Sequence, residues 1–261
     1  MKITELKKQV GNDEIFTTVV SLVLNCGKSQ VFNMQDISDK DAARVINICE
    51  DYKNGTPIAY LTNKWFFCEL PFYITKDVLV PRFETELLVS EVIKTAPETV
   101  LDLGTGSGCI AVAVAKKLPS AVVMASDISK AALEVAKENA KRNNVKIDFF
   151  RSDLFEAFDS CTFDVIVSNP PYVKTQEIGK EDMRTLNEPR SALDGGVDGL
   201  DFYRKIAFAA PNYLSAGGSL VLEVGFDQSG AVQMLLLESG FTSTEVVKDL
   251  CGHERVIIAK I

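Results

Sequence analysis

Five consecutive residues, Ser168-Asn169-Pro170-Pro171-Tyr172, carry the most chemical information in the chain. Two adjacent prolines hold φ and remove two backbone donors, so the carbonyls here cannot be consumed by a continuing strand ladder. What remains is a stiff, acceptor-rich turn. The Asn169 side-chain carbonyl and the Pro170 backbone carbonyl can together receive both hydrogens of a planar NH₂ group. Tyr172 offers a flat face to pack beside a conjugated group. A second cluster lies upstream, where Gly104-Thr105-Gly106-Ser107-Gly108 follows Asp102. Glycines at such a place let backbone approach a ligand closely. Asp127 stands at the end of the next apolar run, where a carboxylate accepts hydrogen bonds from ribose hydroxyls and rejects a 2′-phosphate. The spacing is G-x-G-x-G, not the G-x-G-x-x-G of dinucleotide enzymes. A nucleoside ligand beside a held amine is the chemistry these residues suit.

The elements that must position them follow from the apolar patterning. Residues 1–55 read as helical: an apolar helix runs through Ile15, Val19, Val20 and Leu24, and a second begins at Ser38 and ends at Asn54-Gly55. Residues 56–96 change character. Trp65-Phe66-Phe67, Phe72-Tyr73-Ile74 and Val78-Leu79-Val80 predict short strands of a hairpin, and Thr85 to Lys94 a linking helix. Over 97–261, strands and helices alternate. Strands are predicted at 99–103, 121–125, 146–150, 163–168, 219–224, 241–247 and 254–260, with helices at 109–117, 129–142, 200–214 and 229–239. Helical crossovers imply a parallel sheet covered on both faces. Only Lys248–His253 separates the last two strands, so they are expected to pair antiparallel. The glycine loop thus follows the first strand and Asn169 ends the fourth.

Composition narrows the partners. The chain has 261 residues and a net charge of −8, with 28 Lys and Arg against 36 Asp and Glu. Residues 1–96 hold 11 basic and 13 acidic side chains, so nothing there looks built to neutralise phosphates, and no nucleic-acid partner is expected. No stretch approaches the roughly 18 apolar residues of a membrane span. The start is polar and mixed in charge, with no apolar core before a small-residue cleavage site, so no signal peptide is expected. Six cysteines lie far apart with no C-x-x-C pair, so neither a metal site nor a disulfide framework is expected. The lone His253 falls in the terminal hairpin loop and is read as structural or solvent-facing. A cytoplasmic monomer fits these features.

D-x-G-x-G-x-G after a first strand resembles the S-adenosylmethionine methyltransferases. That resemblance implies an α/β, Rossmann-like class I fold with a seven-stranded, mainly parallel sheet, here with a small N-terminal helical domain. It places Asp153 near the adenine amine and Leu154 against the base. The methyl group leaves a sulfonium, so polar carbonyls facing the dispersed positive charge are favourable, and positioning supplies most of the acceleration. Further motifs narrow the family. Gly55-Thr56-Pro57-Ile58-Ala59-Tyr60-Leu61, Leu79-Val80-Pro81-Arg82-Phe83-Glu84-Thr85-Glu86 and Asn187-Glu188-Pro189-Arg190-Ser191-Ala192-Leu193 with Asp194-Gly195-Gly196 and Asp198-Gly199-Leu200-Asp201 resemble the release factor glutamine methyltransferases, the protein-(glutamine-N5) methyltransferases. Phe83 stands where that family usually has proline, and Asn63-Lys64 where it usually has glycine.

The resemblance implies methyl transfer to the glutamine of the G-G-Q motif in class I peptide chain release factors, during translation termination, with S-adenosyl-L-homocysteine as co-product. It implies that Gly104, Thr105, Gly106, Ser107, Gly108, Asp127, Asp153, Leu154 and Asn169 bind the cofactor. Asn169, Pro170, Pro171 and Tyr172 would hold the glutamine, with Asn169, Pro170 and Tyr172 catalytic. Residues 1–55 would bind substrate and 97–261 form the catalytic domain. Arg82 and Glu84 stand either beside the substrate or as a salt-bridged loop joining the domains. The alternatives are a methyltransferase for an exocyclic amine of DNA or RNA, one for a ribosomal-protein glutamine, and a non-catalytic binding module.

Overall fold

A computed structural model of the protein describes residues 1–159, 161–180 and 183–261. Five helices come first: α1 (Ile3–Val10), α2 (Asp13–Leu24), α3 (Lys28–Phe32), α4 (Asp39–Lys53) and α5 (Ile58–Thr62). Side chains satisfy the donors that a first helical turn leaves free. The Asn12 carbonyl oxygen accepts from the Glu14 and Ile15 N–H groups, each at 3.1 Å, and Ser38 Oγ accepts from the Asp41 N–H at 3.1 Å. Leu6, Val19, Val20 and Val45 are fully buried together in a core of these helices.

The chain then forms β1 (Trp65–Phe67) and β2 (Leu70–Phe72), an antiparallel hairpin. Cys68 and Glu69 both take positive φ between the two strands, the backbone twist that two-residue hairpins require. Val78–Val80 is not a strand, contrary to the sequence expectation. Side chains take its backbone groups instead: the Tyr60 hydroxyl donates to the Val78 carbonyl at 2.7 Å, and the Val80 N–H donates to Glu188 Oε1 at 3.2 Å. The segment is apolar because it is buried, a cause that a short apolar run does not distinguish from strand pairing.

Next come α6 (Thr85–Lys94), β3 (Thr99–Leu103), α7 (Cys109–Lys117), β4 (Val122–Asp127), α8 (Lys130–Arg142), β5 (Asp148–Arg151) and β6 (Phe163–Ser168). The chain closes with α9 (Asp201–Ala209), β7 (Leu214–Glu223), α10 (Ser229–Glu238), β8 (Ser243–Lys248) and β9 (Glu254–Lys260). Helix α9 stops short of the expected Leu214. Pro211 cannot donate into a continuing helix, and a 3₁₀ turn spans Ala210–Tyr213.

The seven strands lie in the order β5-β4-β3-β6-β7-β9-β8. All pairs from β5 to β7 are parallel, and β9 runs antiparallel to both β7 and β8. The expected seven-stranded, mainly parallel sheet is therefore present. Leu88, Val92 and Val112 pack in one core and Ile166, Ile206 and Val232 in another. Chain order reverses between β3 and β6, and in open α/β sheets ligand crevices open at such a switch point, beyond the carboxyl ends of the strands. Leu103 and Ser168 leave the sheet there side by side, joined by a bond from Ser168 Oγ to the Leu103 carbonyl at 2.8 Å. No helix among the described residues is long and apolar enough to cross a membrane.

One buried side chain fastens the hairpin to the glycine loop. Asn139 of α8 accepts from the Tyr73 N–H at 2.6 Å and donates to the Tyr73 and Ser107 carbonyls, each at 2.9 Å. Asn139→Ala would strand all three backbone groups, at a cost of about 2–4 kcal/mol. Thermal unfolding is expected to show a Tm lower by roughly 5–10 °C; an unchanged Tm would refute the tether.

Candidate active site

Strand β3 ends in a loop that only glycine accommodates cheaply. Gly104, Gly106 and Gly108 have φ of 69°, 54° and 79°, in the left-handed region where a side chain is strained. A Cβ built on Gly104 would meet nothing within 4 Å, so the loop faces open space. Asp127, at the end of β4, braces it: its Oδ2 accepts from the Gly106 N–H at 2.9 Å and its Oδ1 from the Ser129 N–H at 2.8 Å. Burial raises the Asp127 pKa, and these backbone bonds work against the shift.

Beneath the loop, Asp102 is wholly buried and its Oδ2 accepts from Thr105 Oγ1 at 2.7 Å and the Ala111 N–H at 3.1 Å. Burial pushes its carboxyl up to about 7. Thr105 and Ser107 are buried here too. Gly108 starts α7 against α8, where a Cβ would come within 3.0 Å of Ala136 Cβ. Thr105, Ser107 and Gly108 therefore shape the loop from below and do not line the space above it.

That space is a cavity of about 330 Å³, within the usual range for small-molecule sites. Gly104, Gly106, Asp127, Asp153, Leu154 and Asn169, scattered over 66 positions of the sequence (104 to 169), all line it. Leu154 holds a φ of 49°, unusual for a bulky residue; Ser152 Oγ secures the turn by donating to the Leu154 carbonyl at 2.9 Å. Val78, Leu79, Ile128 and Phe202 supply apolar walls. Sequence reasoning missed these four. For Ile128 the sequence carried one usable signal, its place directly after the strand-end acid Asp127.

A second cavity, of about 320 Å³, lies against Arg82, Tyr172, Lys174, Phe226 and Arg255. Asn169 and Pro170 line both cavities, while Pro171 lines only the first and Tyr172 only the second. The turn is held from several sides. Asn169 Nδ2 donates to Thr85 Oγ1 at 3.1 Å, and Thr85 Oγ1 donates to Glu223 Oε2 at 2.6 Å. The Tyr172 hydroxyl donates to Glu223 Oε1 at 3.3 Å, and Gln228 Nε2 donates to the Tyr172 carbonyl at 3.0 Å. Among the described residues, none donates to Asn169 Oδ1 or to the Pro170 carbonyl. Both acceptors that the sequence singled out are thus unspent.

Arg82 pairs with Glu188, which also accepts from the Val80 N–H, so the loop's ion-pair partner is Glu188 and not Glu84. His253 is exposed in the loop between β8 and β9, beside Asp249, and lines neither cavity.

The family model for the methyltransferase small domain matches residues 83–196. A release factor glutamine methyltransferase of Geobacter sulfurreducens is 44% identical over 209 residues, covering 78% of this chain and 73% of that protein. The chain belongs to the release factor glutamine methyltransferase family. A second member, from Thermodesulfovibrio yellowstonii, is 39% identical over 249 residues, 92% of this chain and 89% of its own. Among solved structures, a methyltransferase from Pyrococcus furiosus shares the fold, with TM-score 0.55 and 21% identity over 85% of this chain and 98% of that one.

The departures from the family pattern have local explanations. Asn63, where glycine is usual, takes a φ of 52° and donates from Nδ2 to the Ile74 carbonyl at 3.0 Å; asparagine tolerates that conformation better than most residues. Phe83 is exposed and its ring lies 6.5 Å from Trp65. The D-G-G segment backs the turn: Val173 donates to the Leu193 carbonyl and Gly195 donates to the Val173 carbonyl, each at 2.9 Å. A Cβ on Gly195 would stand 2.7 Å from Tyr172 Cα and 2.8 Å from the Pro171 carbonyl oxygen. Gly195→Ala must therefore displace the turn, and steady-state kinetics should show kcat lowered about tenfold or more. Wild-type kcat in this variant would mean that the turn's placement is not critical.

Proposed function

We propose that the protein transfers a methyl group from S-adenosyl-L-methionine to the side-chain amide nitrogen of the glutamine in the G-G-Q motif of class I peptide chain release factors. One observation carries the reading: Asn169 Oδ1 and the Pro170 carbonyl are unspent acceptors on a rigid wall between two cavities. The nucleoside-bearing donor belongs on the glycine-loop side. The residues there fit it, because the space over Gly104 is open and each Asp127 oxygen keeps a second lone pair for a ribose hydroxyl. Asp153 is assigned to the adenine amine and Leu154 to the base. When bound, the donor supplies an activated methyl group on a sulfonium.

The chain's own residues do the rest. An amide nitrogen shares its lone pair with the carbonyl and is a poor nucleophile. Acceptors for its two N–H groups return electron density to nitrogen and hold it in one direction, at an effective concentration that free solution does not reach. Tyr172 packs beside the amide plane. The acceptor needs no strong base before attack, since its proton becomes acidic as the new bond forms. Residues 1–55 are assigned to substrate binding, 56–96 to the hairpin and linker helix, and 97–261 to catalysis. The same reading makes the enzyme a cytoplasmic monomer acting on a protein, without direct nucleic-acid contact; its net charge of −8 supports the last point.

The test is mass spectrometry of a release-factor peptide containing G-G-Q after incubation with enzyme and donor, which should gain about 14 Da on glutamine, one methyl for one hydrogen. Parallel incubations with radiolabelled donor and duplex DNA or RNA should stay unlabelled. Label on nucleic acid and none on the release factor would overturn the proposal.

A further inference from the structure

Glu223 ends β7 as an acid only 1% exposed. Its two oxygens each receive one hydroxyl, Thr85 at 2.6 Å on Oε2 and Tyr172 at 3.3 Å on Oε1. Thr85 Oγ1 in turn lies 3.1 Å from Asn169 Nδ2. A hydroxyl has one hydrogen, and an ionised carboxylate can only accept. Once Thr85 has given its hydrogen to Glu223, its oxygen faces Asn169 purely as an acceptor. The carboxamide must then turn its NH₂ to Thr85 and its Oδ1 away. The two ends of a carboxamide are nearly equal in size, so bonding alone decides which way it faces. Reversed, it would aim N–H groups at the N–H groups it should receive.

We propose that Thr85 and Glu223 are positioning residues, a relay that fixes the Asn169 carboxamide with Oδ1 toward the methyl-accepting nitrogen. The acceptor's identity rests on the function proposed above; the orientation of Asn169 does not.

The relay depends on a proton. Burial raises the Glu223 carboxyl to about 7, with the Thr85 and Tyr172 bonds and Arg255 on β9 opposing the shift and Glu84 before α6 adding to it. Tyr203 on α9 donates to the Glu223 backbone carbonyl at 2.8 Å and leaves the carboxyl untouched. Protonated Glu223 has a hydrogen of its own. It can donate to Thr85, whose freed hydrogen then suits Asn169 Oδ1 and licenses the reversed amide. Raising the pH ionises Glu223 and locks the productive orientation, so the transfer rate should climb with pH through neutrality.

Thr85→Val keeps the shape and removes the hydroxyl, whereas Thr85→Ser keeps it. Single-turnover transfer to a G-G-Q peptide, followed from about pH 5.5 to about pH 9, should be at least about tenfold slower in T85V and restored to within about threefold in T85S. T85V should also lose the rise with pH, and its donor affinity should stay within about threefold by calorimetry. Glu223→Gln should flatten the same profile. Wild-type rates in T85V, failure of T85S to rescue, or an unchanged pH profile in T85V would each overturn the relay. Nitrogen-15 NMR of the Asn169 side chain reads orientation without turnover: a hydrogen-bonded N–H proton should be shifted downfield at high pH and lose that shift on acidification and in T85V. If wild type methylates no glutamine but this signal behaves so, the function fails and the relay stands; if the signal is insensitive to both changes, the relay fails.

Discussion

Asn169→Ala is expected to bind S-adenosyl-L-methionine within a few-fold of wild type while its single-turnover methyl transfer falls at least ~10²-fold, the usual scale for losing one preorganised electrostatic contact. The two effects separate because of where Asn169 sits. On the glycine-loop side it is one lining residue among many, and the loop's geometry comes from Asp127 and Asp102, which the substitution does not touch. On the other side, under the proposed function, it supplies one of the two acceptors that the turn offers the amide. Removing it leaves the Pro170 carbonyl alone, so one N–H goes unpaired in the site and the nitrogen is free to swing. Saturating donor should not recover the lost rate. Calorimetry with the donor and rapid-quench transfer to a G-G-Q peptide check the two halves; turnover equal to wild type would remove the mechanism.

Much of this site was legible because glycine and proline declare backbone geometry locally. The run from Gly104 to Gly108 and the pair Pro170-Pro171 each state their turn within five residues, and the alternation from Thr99 onward states which strands they end. Helix α6 and strands β3, β6 and β9 fall where the apolar pattern places them. What stayed hidden depends on partners remote in sequence. Val78–Val80 reads as a strand until Glu188, 108 positions from Val80, is seen taking its N–H. Thr85 reads as part of a motif, and its bond to Glu223 spans 138 positions. Phe202 reads as one residue of an amphipathic helix, and its place in the cavity wall exists only after the 189–205 segment folds over the switch point. Thr105, Ser107 and Gly108 are the converse case. Their motif membership was plain, but the turn rotates them inward, so a contiguous motif divides into residues that line the cavity and residues that hold the loop.

Asp127→Ala is expected to weaken donor binding by roughly 10²-fold. Two backbone N–H groups, of Gly106 and Ser129, lose a carboxylate acceptor at 2.9 and 2.8 Å, and the ribose that the proposed function assigns to Asp127 loses its acceptor. The N–H bonds exist with or without donor and set the loop's shape, so the affinity loss comes from the ribose contact: a hydrogen bond to a charged group contributes about 1.5–3 kcal/mol, and about 2.7 kcal/mol corresponds to a hundredfold in affinity. Asp127→Asn should recover part of it, because one carbonyl oxygen can still accept while the NH₂ faces a donor. The pH dependence has a definite sign. Burial raises the Asp127 pKa, so acidification protonates it sooner than an exposed aspartate, and donor affinity should decline as pH falls, with Asp127→Asn insensitive over the same interval. The contrast with Asn169→Ala is kinetic: enough donor refills the Asp127→Ala site and kcat should climb back toward wild type, because the Asn169-Pro170 wall is intact. A variant that binds donor normally, or one whose kcat stays low at saturation, would show that Asp127 is not what holds the nucleoside.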